Sequence, residues 1–336
     1  MELIVNSTAA FRSSRGVNRF VTGVMQHLDW PGPVTMTNAA RVPRLERITE
    51  LLQRGQKDAI LWSPSHRGPL NAYHHVVSVH DCINVEFTHI GDWRLPLFRQ
   101  LFNQVLKRAQ TVVALSQTTR SAIIRNYRID NSKIVVIPAG YDVPSIVSVT
   151  DSEVAESAQH PFVLMVTNAL PHKNTSAACK AFSLSRAKAN GVQLRVVGSI
   201  SAEAEVLCRE TGVRLEIYDR VDDETLMKWY TLCLFLLSPT LAEGYNLPVA
   251  EAVAAGANVL CSDIAVHREF FTGQAVFFDP SSLDCMIAAL DEGLLRDGCW
   301  MPAPSNITRR NFRDVAGDYR ALFLRVAAGQ SVQTPS

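Results

Sequence analysis

The sequence predicts an α/β protein with two parallel β-sheets in series. Short apolar runs rich in β-branched residues alternate with longer amphipathic stretches, a pattern typical of buried parallel strands joined by helices. The pattern begins at residues 3–5 and restarts at residues 162–166. A chain of 336 residues also exceeds one hydrophobic core, because such cores stop growing at about 250–300 residues. We therefore expect two α/β domains.

The strand predictions fall into two series along the chain. The first series lies at residues 3–5, 59–62, 76–79, 112–115 and 134–137. The second series lies at residues 162–166, 194–197, 215–217, 234–237, 259–261 and 275–278.

A linker is predicted between the two series. Residues 141–161 contain Pro144, several Ser and Thr, and no apolar periodicity, as interdomain linkers do. We place the boundary near residue 155, which gives an N-terminal acceptor-side domain at 1–155 and a nucleotide-binding domain at 156–307. The remaining residues, 308–336, are predicted to form a C-terminal helix that returns to the N-terminal domain.

Composition narrows the class of protein. Hydrophobic residues make up 47% of the chain and charged residues 19%, with a net charge of +1, which favours a folded protein over a disordered one. The seven cysteines are scattered and never spaced as C-x-x-C, which argues against a disulfide framework and a zinc site. No basic leader and no apolar span of about 18 residues is visible. A cytoplasmic location is expected.

The most informative segment is residues 238–252, where a predicted strand ends and a helix begins. Gly244 permits a tight turn, and Glu243 and Glu251 lie on either side of it. Backbone N–H groups of residues 245–249, aided by the helix dipole, would suit a diphosphate or sugar hydroxyls. The alternative is a plain loop in which Glu251 serves only the helix dipole. The residues alone leave both readings open.

This segment resembles the signature of family-4 retaining glycosyltransferases. That signature places two glutamates, separated by seven residues, in the pattern Pro-Ser-x-x-Glu-Gly-Phe-Gly-Leu-Pro-x-x-Glu-Ala, and a small-residue stretch follows it here at residues 255–263. Further matches, in the family's order, lie at residues 79–81, 115–116, 137–142, 168–174, 221–223 and 278–280.

The resemblance implies a fold and an activity. The fold would be two Rossmann-like domains facing across a cleft, the GT-B type, with the nucleotide bound mainly by the second domain. The activity would be retaining transfer of a hexose to a glycan or lipid-linked saccharide in cell-surface polysaccharide synthesis, with mannose from GDP-mannose as the favoured donor. No Asp-x-Asp motif is present, so neither a metal nor another cofactor is expected. Nucleic acid is not an expected partner.

The resemblance also assigns roles to individual residues. Lys173 matches the basic residue that meets the donor diphosphate, and Glu243 matches the carboxylate beside the transferred sugar. His80 matches the first-domain histidine that reaches the donor sugar, so these three are the expected catalytic residues. Glu251 matches the carboxylate that holds the ribose. Further donor-binding candidates are Gly16, Asn168, Val221, Gly244, Tyr245, Asn246 and Leu247.

Two departures concern the donor site. Pro171 and His172 stand where the family often has arginine, which leaves phosphate neutralisation to Lys173 with help from Arg15 or Arg268. Arg15 and Arg19 are expected in the first strand-to-helix loop, beside Gly16.

Asn246 stands where the family has glycine, and is expected to put a side chain where a ligand would approach. Phe312 stands near the start of the final helix, where the family commonly has tryptophan. These changes keep two other functions open: a nucleotide-sugar epimerase of the same architecture, or a catalytically weak nucleotide-sugar-binding partner. The mixed basic and apolar residues 94–108 also leave peripheral membrane contact open.

Overall fold

A computed structural model describes the chain in six stretches. The described residues are 1–6, 15–37, 55–87, 94–142, 148–296 and 310–330. The chain divides into two compact units, one comprising Met1–Asp142 with Arg310–Ser336 and the other comprising Val143–Arg309. Each unit is built on a six-stranded sheet. The predicted α/β class with two parallel sheets is confirmed.

All described strand pairs are parallel. The first sheet has the order β2-β1-β3-β4-β5-β6, with strands β1 (Glu2–Val5), β2 (Val34–Met36), β3 (Ala59–Ser63), β4 (His74–Val79), β5 (Thr111–Ala114) and β6 (Ile134–Val136). The second sheet has the order β12-β11-β10-β7-β8-β9, with strands β7 (Phe162–Thr167), β8 (Gln193–Gly198), β9 (Leu215–Tyr218), β10 (Leu236–Ser238), β11 (Val259–Ser262) and β12 (Val276–Phe278).

The helices follow the strands along the chain. In the first unit they are α1 (Arg15–His27), α2 (Ile83–Glu86), α3 (Arg94–Arg108) and α4 (Gln117–Asn126). In the second unit they are α5 (Asp151–Gln159), α6 (Thr175–Leu184), α7 (Arg186–Ala189), α8 (Ala202–Thr211), α9 (Asp223–Leu232), α10 (Leu247–Ala254), α11 (Ala265–Phe271) and α12 (Leu283–Leu295). The last helix, α13 (Phe312–Ala327), belongs to the first unit.

Strand order fixes where a ligand can enter each sheet. In the second sheet β7 and β10 are neighbours, and the chain winds outward from them in opposite directions. Loops that leave the carboxyl ends of two such strands diverge and open a crevice, which is where open α/β sheets bind ligands. The loops after β7 and β10 therefore form the candidate site of this unit.

The predicted boundary near residue 155 is corrected by the structure. Residues 151–159 form helix α5, which begins with a capping box in which Thr150 and Glu153 bond to each other's backbone N–H. Glu153 also pairs with Lys228 of α9 at 3.1 Å, so the helix belongs to the second unit. The sequence predicts a linker here because Ser, Thr and acidic residues favour both loops and helix N-termini.

The C-terminal helix α13 packs on α1, β3 and β4, as predicted. Gly23 of α1 makes room for it, since a Cβ there would overlap the ring of Phe312. Asp142 accepts a hydrogen bond from the Phe312 backbone N–H at 3.0 Å. Deeper in the core, the Tyr319 hydroxyl and Ser78 Oγ are hydrogen-bonded at 2.7 Å. Phe312, which stands where the family commonly has tryptophan, therefore occupies a buried position.

Helix α3 contains the stretch suggested for membrane contact. Phe102, Val105 and Leu106 lie in the core of the first unit, whereas Leu97 and Arg99 are exposed. The helix is thus anchored by one apolar face and solvated on another. Across the residues that the structure describes, we find no helix with the length and apolar character needed to cross a membrane.

Candidate functional site

Two loops of the second unit meet at the carboxyl edge of its sheet. One follows β7 (residues 168–174) and the other follows β10 (residues 239–246). The backbone carbonyl of His172 joins them, because it accepts bonds from Thr240 Oγ1 at 3.0 Å and from the Leu241 N–H at 2.7 Å. The two loops expected from the strand order to form a site are therefore connected to each other by hydrogen bonds.

Lys173 and Glu243 form an ion pair across these loops. Lys173 Nζ contacts Glu243 Oε1, and the two side chains are 19% and 12% exposed. The sequence gives no hint that they touch, since 70 positions separate them. A lysine ammonium carries three donors, so Lys173 can hold Glu243 and contact a bound phosphate oxygen together.

The loop around Lys173 is fixed by two asparagines. Asn174 adopts the left-handed conformation, with φ of 56°, and donates from Nδ2 to the carbonyl of Pro280 at 3.0 Å. Asn168 is exposed, and its Oδ1 accepts from the Leu170 N–H at 3.0 Å. Asn168 thus shapes the turn that precedes Lys173, while Asn174 ends it and starts α6.

Asn246 is the polar centre of the second loop. Its Nδ2 donates to Ser238 Oγ at 2.9 Å and to His267 Nε2 at 2.9 Å, while its Oδ1 accepts from the Val249 N–H at 3.4 Å. His267 Nδ1 bonds the carbonyl of Ser262 at 2.7 Å, so Nδ1 carries the proton and Nε2 is the acceptor. Burial lowers the pKa of His267, which agrees with this neutral tautomer.

The expected obstruction by Asn246 is therefore corrected. Its side chain is only 7% exposed and is held toward His267 and Ser238. The backbone φ of 82° explains why glycine suits this position, and asparagine tolerates the same region better than most residues. The asparagine that replaces the family's glycine is thus accommodated with its side chain buried in the protein interior.

The helix N-terminus offers fewer backbone donors than the sequence suggests. Within the predicted set at residues 245–249, the Val249 N–H is bonded to Asn246, and Pro248 has no N–H. The candidate amides narrow to those of Tyr245, Asn246 and Leu247. Gly244, which precedes them, is buried in the turn.

Glu251 lies inside α10 and is 4% exposed. Its Oε2 accepts a hydrogen bond from the Tyr230 hydroxyl of α9 at 3.2 Å. Tyr245 packs its ring against Phe270 at a centroid distance of 4.7 Å. Val221 is half-buried directly before α9. All of these residues, with Lys173 and Glu243, belong to the second unit.

Arg268 is held by a carboxylate of its own unit. It makes two 2.6 Å bonds to Asp263, and its guanidinium lies 4.3 Å from the Phe277 ring centroid. This pairing lowers the pKa of the Asp263 carboxyl. These two bonds use only part of the N–H donors of the guanidinium, so help from Arg268 in neutralising a phosphate stays a prediction.

His80 lies in the first unit, directly after β4. Its Nε2–H donates to the carbonyl of Pro64 at 2.7 Å, and the ring meets Phe20 edge-on at 5.0 Å. Burial lowers the pKa of His80 to about 4, so the ring is neutral and Nδ1 is an acceptor. The neighbouring Asp81 accepts a hydrogen bond from the Ile83 N–H through Oδ1 at 3.0 Å.

The residues expected in the first strand-to-helix loop lie elsewhere. Arg15, Gly16 and Arg19 belong to the first turns of α1, and Gly16 is exposed. The preceding residues 7–14 and the Arg15 side chain lie outside the described residues.

Sequence reasoning missed His267, Ser238 and Tyr230 as supports of the site. Their signal was weak, because an isolated histidine or tyrosine at helical spacing is usually a core residue. Within the described stretches, no three His, Cys, Asp or Glu side chains are grouped so as to hold a metal ion.

Two family models match consecutive parts of the chain. Glycosyltransferase Family 4 matches residues 9–144, and Glycosyl transferases group 1 matches residues 150–310.

Two bacterial O-antigen mannosyltransferases are similar to this chain in sequence. It is 27% identical over 186 residues to the O-antigen chain mannosyltransferase RfbU of Salmonella typhimurium, covering 54% of this chain and 50% of the relative. It is 26% identical over 262 residues to the O-antigen chain mannosyltransferase B of Escherichia coli, covering 74% of this chain and 68% of the relative. The matched region thus spans half of the Salmonella relative's length.

Solved structures share the fold at low identity. Anabaena Alr3699/HepE in complex with UDP and glucose has a TM-score of 0.65 at 12% identity, over 98% of both chains. Sucrose-phosphate synthase from Thermosynechococcus elongatus has a TM-score of 0.57 at 18% identity, over 77% of this chain and 66% of that one. These neighbours confirm the predicted GT-B class. Because the two family models follow one another along the chain on this fold, the protein belongs to the group 1, family-4 glycosyltransferases.

Proposed function

We propose that the chain transfers a hexose from a nucleotide diphosphate sugar bound by its second unit. The observation that carries this proposal is the Lys173–Glu243 ion pair, which joins the loops that follow the neighbouring strands β7 and β10 and lies close to the start of α10. A site of this kind combines a cation, a carboxylate and a helix N-terminus. Diphosphate and sugar hydroxyls need these groups together.

The leaving diphosphate is the group that most needs stabilisation. When the bond to the sugar breaks, negative charge grows on the β-phosphate, and donors already fixed in place stabilise it without reorganisation. Lys173 supplies a full charge, and the amides of Tyr245, Asn246 and Leu247 supply the positive end of the α10 dipole. Asn246 keeps these amides in position through its bonds to Ser238 and His267.

The two glutamates have different environments and therefore different roles. Glu243 is on the loop, is part-exposed and contacts Lys173, so it is the carboxylate suited to the transferred sugar. Glu251 is buried inside α10 and bonded to Tyr230, so it suits a fixed partner such as the ribose hydroxyls. His80 is the first-unit residue proposed to accept from the donor sugar, through Nδ1.

The transfer is proposed to retain the configuration at the anomeric carbon. In the same-face route, the acceptor hydroxyl adds where the phosphate leaves, and a phosphate oxygen takes the acceptor proton. Glu243 then positions or stabilises the sugar; a covalent glycosyl-Glu243 intermediate is the less favoured route.

The mannosyltransferase names of the relatives support mannose, hence GDP-mannose, as the donor. A glycan or lipid-linked saccharide in cell-surface polysaccharide synthesis is the proposed acceptor. For a lipid-linked acceptor, the exposed Leu97 and Arg99 of α3 give a surface for peripheral contact with a membrane.

Nucleotide binding is tested by thermal unfolding of the protein with GDP, UDP, ADP, dTDP and their sugar conjugates. One nucleotide class should raise the unfolding temperature, because a ligand that binds only the folded state stabilises it. Glu251→Gln keeps the side-chain shape and should weaken this shift, whereas the exposed Glu205→Gln of α8 should not. No shift with any nucleotide would refute donor binding.

Transfer is tested with the nucleotide that binds, its sugar conjugates and saccharide acceptors. Lys173→Ala should lower kcat by about 100-fold or more, the usual cost of removing one preorganised charge donor. The anomeric configuration of the product, read by NMR coupling constants, decides between retention and inversion. Nucleotide binding without turnover on any acceptor would favour a binding partner over a transferase.

A further inference from the structure

A cavity of the second unit lies on one face of its sheet and is lined by residues of α5, α9 and strands β7 to β9. It has a volume of about 480 Å³, within the range of small-ligand pockets. Its floor includes Phe162 and Gln193, the first residues of β7 and β8, whereas the Lys173–Glu243 loops follow the carboxyl ends of β7 and β10. The cavity is therefore separate from the proposed donor site.

The floor of this cavity departs from the usual chemistry of a parallel sheet. Such sheets are normally apolar on both faces, and the opposite face here is a core that includes Val163, Leu194 and Val196. The cavity face instead presents Arg195 opposite Glu216 in the strand register. These polar residues are accessible because α5 and α9 cover the face only partly.

Charged groups in the cavity neutralise one another. Arg195 Nε bonds Glu216 Oε2 at 3.0 Å, and Lys228 Nζ bonds Glu153 Oε1 at 3.1 Å. Three glutamates, Arg195, Lys228 and His160 line the cavity in all. Arg195 and Lys228 already have carboxylate partners and Glu156 adds negative charge, so an anionic ligand is disfavoured relative to a neutral one.

Rigid rings and remaining hydrogen-bonding capacity complete the cavity. The Arg195 guanidinium lies between the rings of Phe162 and Trp229, at 4.0 and 4.7 Å from their centroids, which fixes it as a planar donor. Tyr218 meets Trp229 at 4.7 Å, yet its side chain is 37% exposed. Within the described chain, both bonds of the Glu216 carboxylate go to Oε2, so Oε1 keeps its acceptor capacity.

We propose that this cavity is a second, non-catalytic binding site for a neutral saccharide. A sugar presents hydroxyls, which donate and accept without charge, and C–H faces, which pack on an aromatic ring. Glu216 Oε1, the amide of Gln193 and the Lys228 ammonium would bond the hydroxyls, and the Tyr218 ring would take a C–H face. The site holds a glycan away from the reacting sugar, and its existence does not depend on the transfer reaction.

The test measures saccharide binding to the full chain in the absence of nucleotide, with saturation-transfer NMR as the method of detection. The probes are α-linked mannotriose, maltotriose and, as an anionic comparison, trigalacturonate. The neutral trisaccharides should bind, and Tyr218→Ala should weaken them by about fivefold or more, as expected for losing an aromatic contact worth about 1 kcal/mol. Tyr218→Phe keeps the ring and should bind within about twofold.

Two control variants make the result specific. Tyr73→Ala removes an exposed tyrosine of the first unit, and Glu251→Ala alters the proposed donor site; neither should change saccharide binding. The proposal is overturned if no neutral saccharide binds, if trigalacturonate binds better, or if binding follows Glu251 rather than Tyr218. Thermal shifts by nucleotides report separately on the donor site.

Discussion

Replacement of Asn246 gives the sharpest test of how the loop that follows β10 (residues 239–246) is held. This residue has a left-handed backbone, caps α10 and bonds both Ser238 and His267. Asn246→Ala loses the cap, about 1 kcal/mol, and leaves buried acceptors without partners, about 1–3 kcal/mol. Alanine also disfavours the left-handed region by about 1–2 kcal/mol. We expect a total loss of about 3–6 kcal/mol in the free energy of unfolding.

Asn246→Gly isolates the backbone contribution to this loss. Glycine loses the same side-chain bonds but accepts positive φ and is a tolerable cap. The expected loss is about 1–3 kcal/mol, so stability should rank Asn above Gly and Gly above Ala. Asn190→Ala, an exposed asparagine with φ of −83°, is the control and should change stability by less than about 0.5 kcal/mol.

The assay is urea unfolding followed by circular dichroism, with amide hydrogen exchange of peptides from α10 as the local readout. Protection of α10 should fall in the same order as global stability. If the alanine variant were as stable as the glycine variant, the left-handed backbone would not be a constraint on this loop. A loss below about 1 kcal/mol in both would refute the hydrogen-bond network.

The remaining predictions concern other parts of the two units. Gly198→Ala should destabilise the second unit by about 2 kcal/mol or more, because φ is 109° and a Cβ would overlap the carbonyl of Thr167; urea unfolding checks this, and an unchanged midpoint would contradict it. Tyr319→Phe should cost about 1 kcal/mol by removing the bond to Ser78, with no change in nucleotide binding. Burial lowers the pKa of His75 from 6.5 to about 3, so its contribution to stability is complete above pH 6.5 and is lost as the pH falls toward 3. His75→Gln should therefore reduce the slope of unfolding free energy against pH between 4 and 6 by about 1.4 kcal/mol per pH unit; an unaltered slope would show that His75 titrates normally.

An aspartate at position 246 adds a pH-dependent test of the His267 tautomer. Asn246→Asp puts a carboxylate beside Nε2, an acceptor in the native protein, so repulsion is relieved only when His267 is protonated. The folded-state pKa of His267 should then rise above its unfolded value. The pair would stabilise the variant below about pH 6.5 and lose this effect as the pH rises through the folded-state pKa. A variant whose deficit relative to the natural protein is the same at pH 6 and pH 8.5 would contradict the assigned tautomer.

Some features of the structure could not be predicted from the sequence, for identifiable reasons. The sequence predicts a linker where helix α5 lies, because Thr150 and Glu153, its capping pair, are residue types that loops also use. The ion pair between Arg268 and Asp263 is likewise not evident from the sequence, because only the fold holds the two side chains together. Pairing of side chains is a three-dimensional property, and composition does not reveal it.

The sequence by itself determined the class of fold, the C-terminal helix and the strand-to-helix turn within residues 238–252. These follow from apolar periodicity and from turn chemistry, which act over a few residues and are therefore readable locally. Only the tertiary structure decided that Lys173 contacts Glu243 and that Tyr230 bonds Glu251. It also decided that the side chain of Asn246 turns inward to His267. The physical reason is that these contacts depend on the order of strands in the sheet, which joins residues far apart in the chain and which no local pattern specifies.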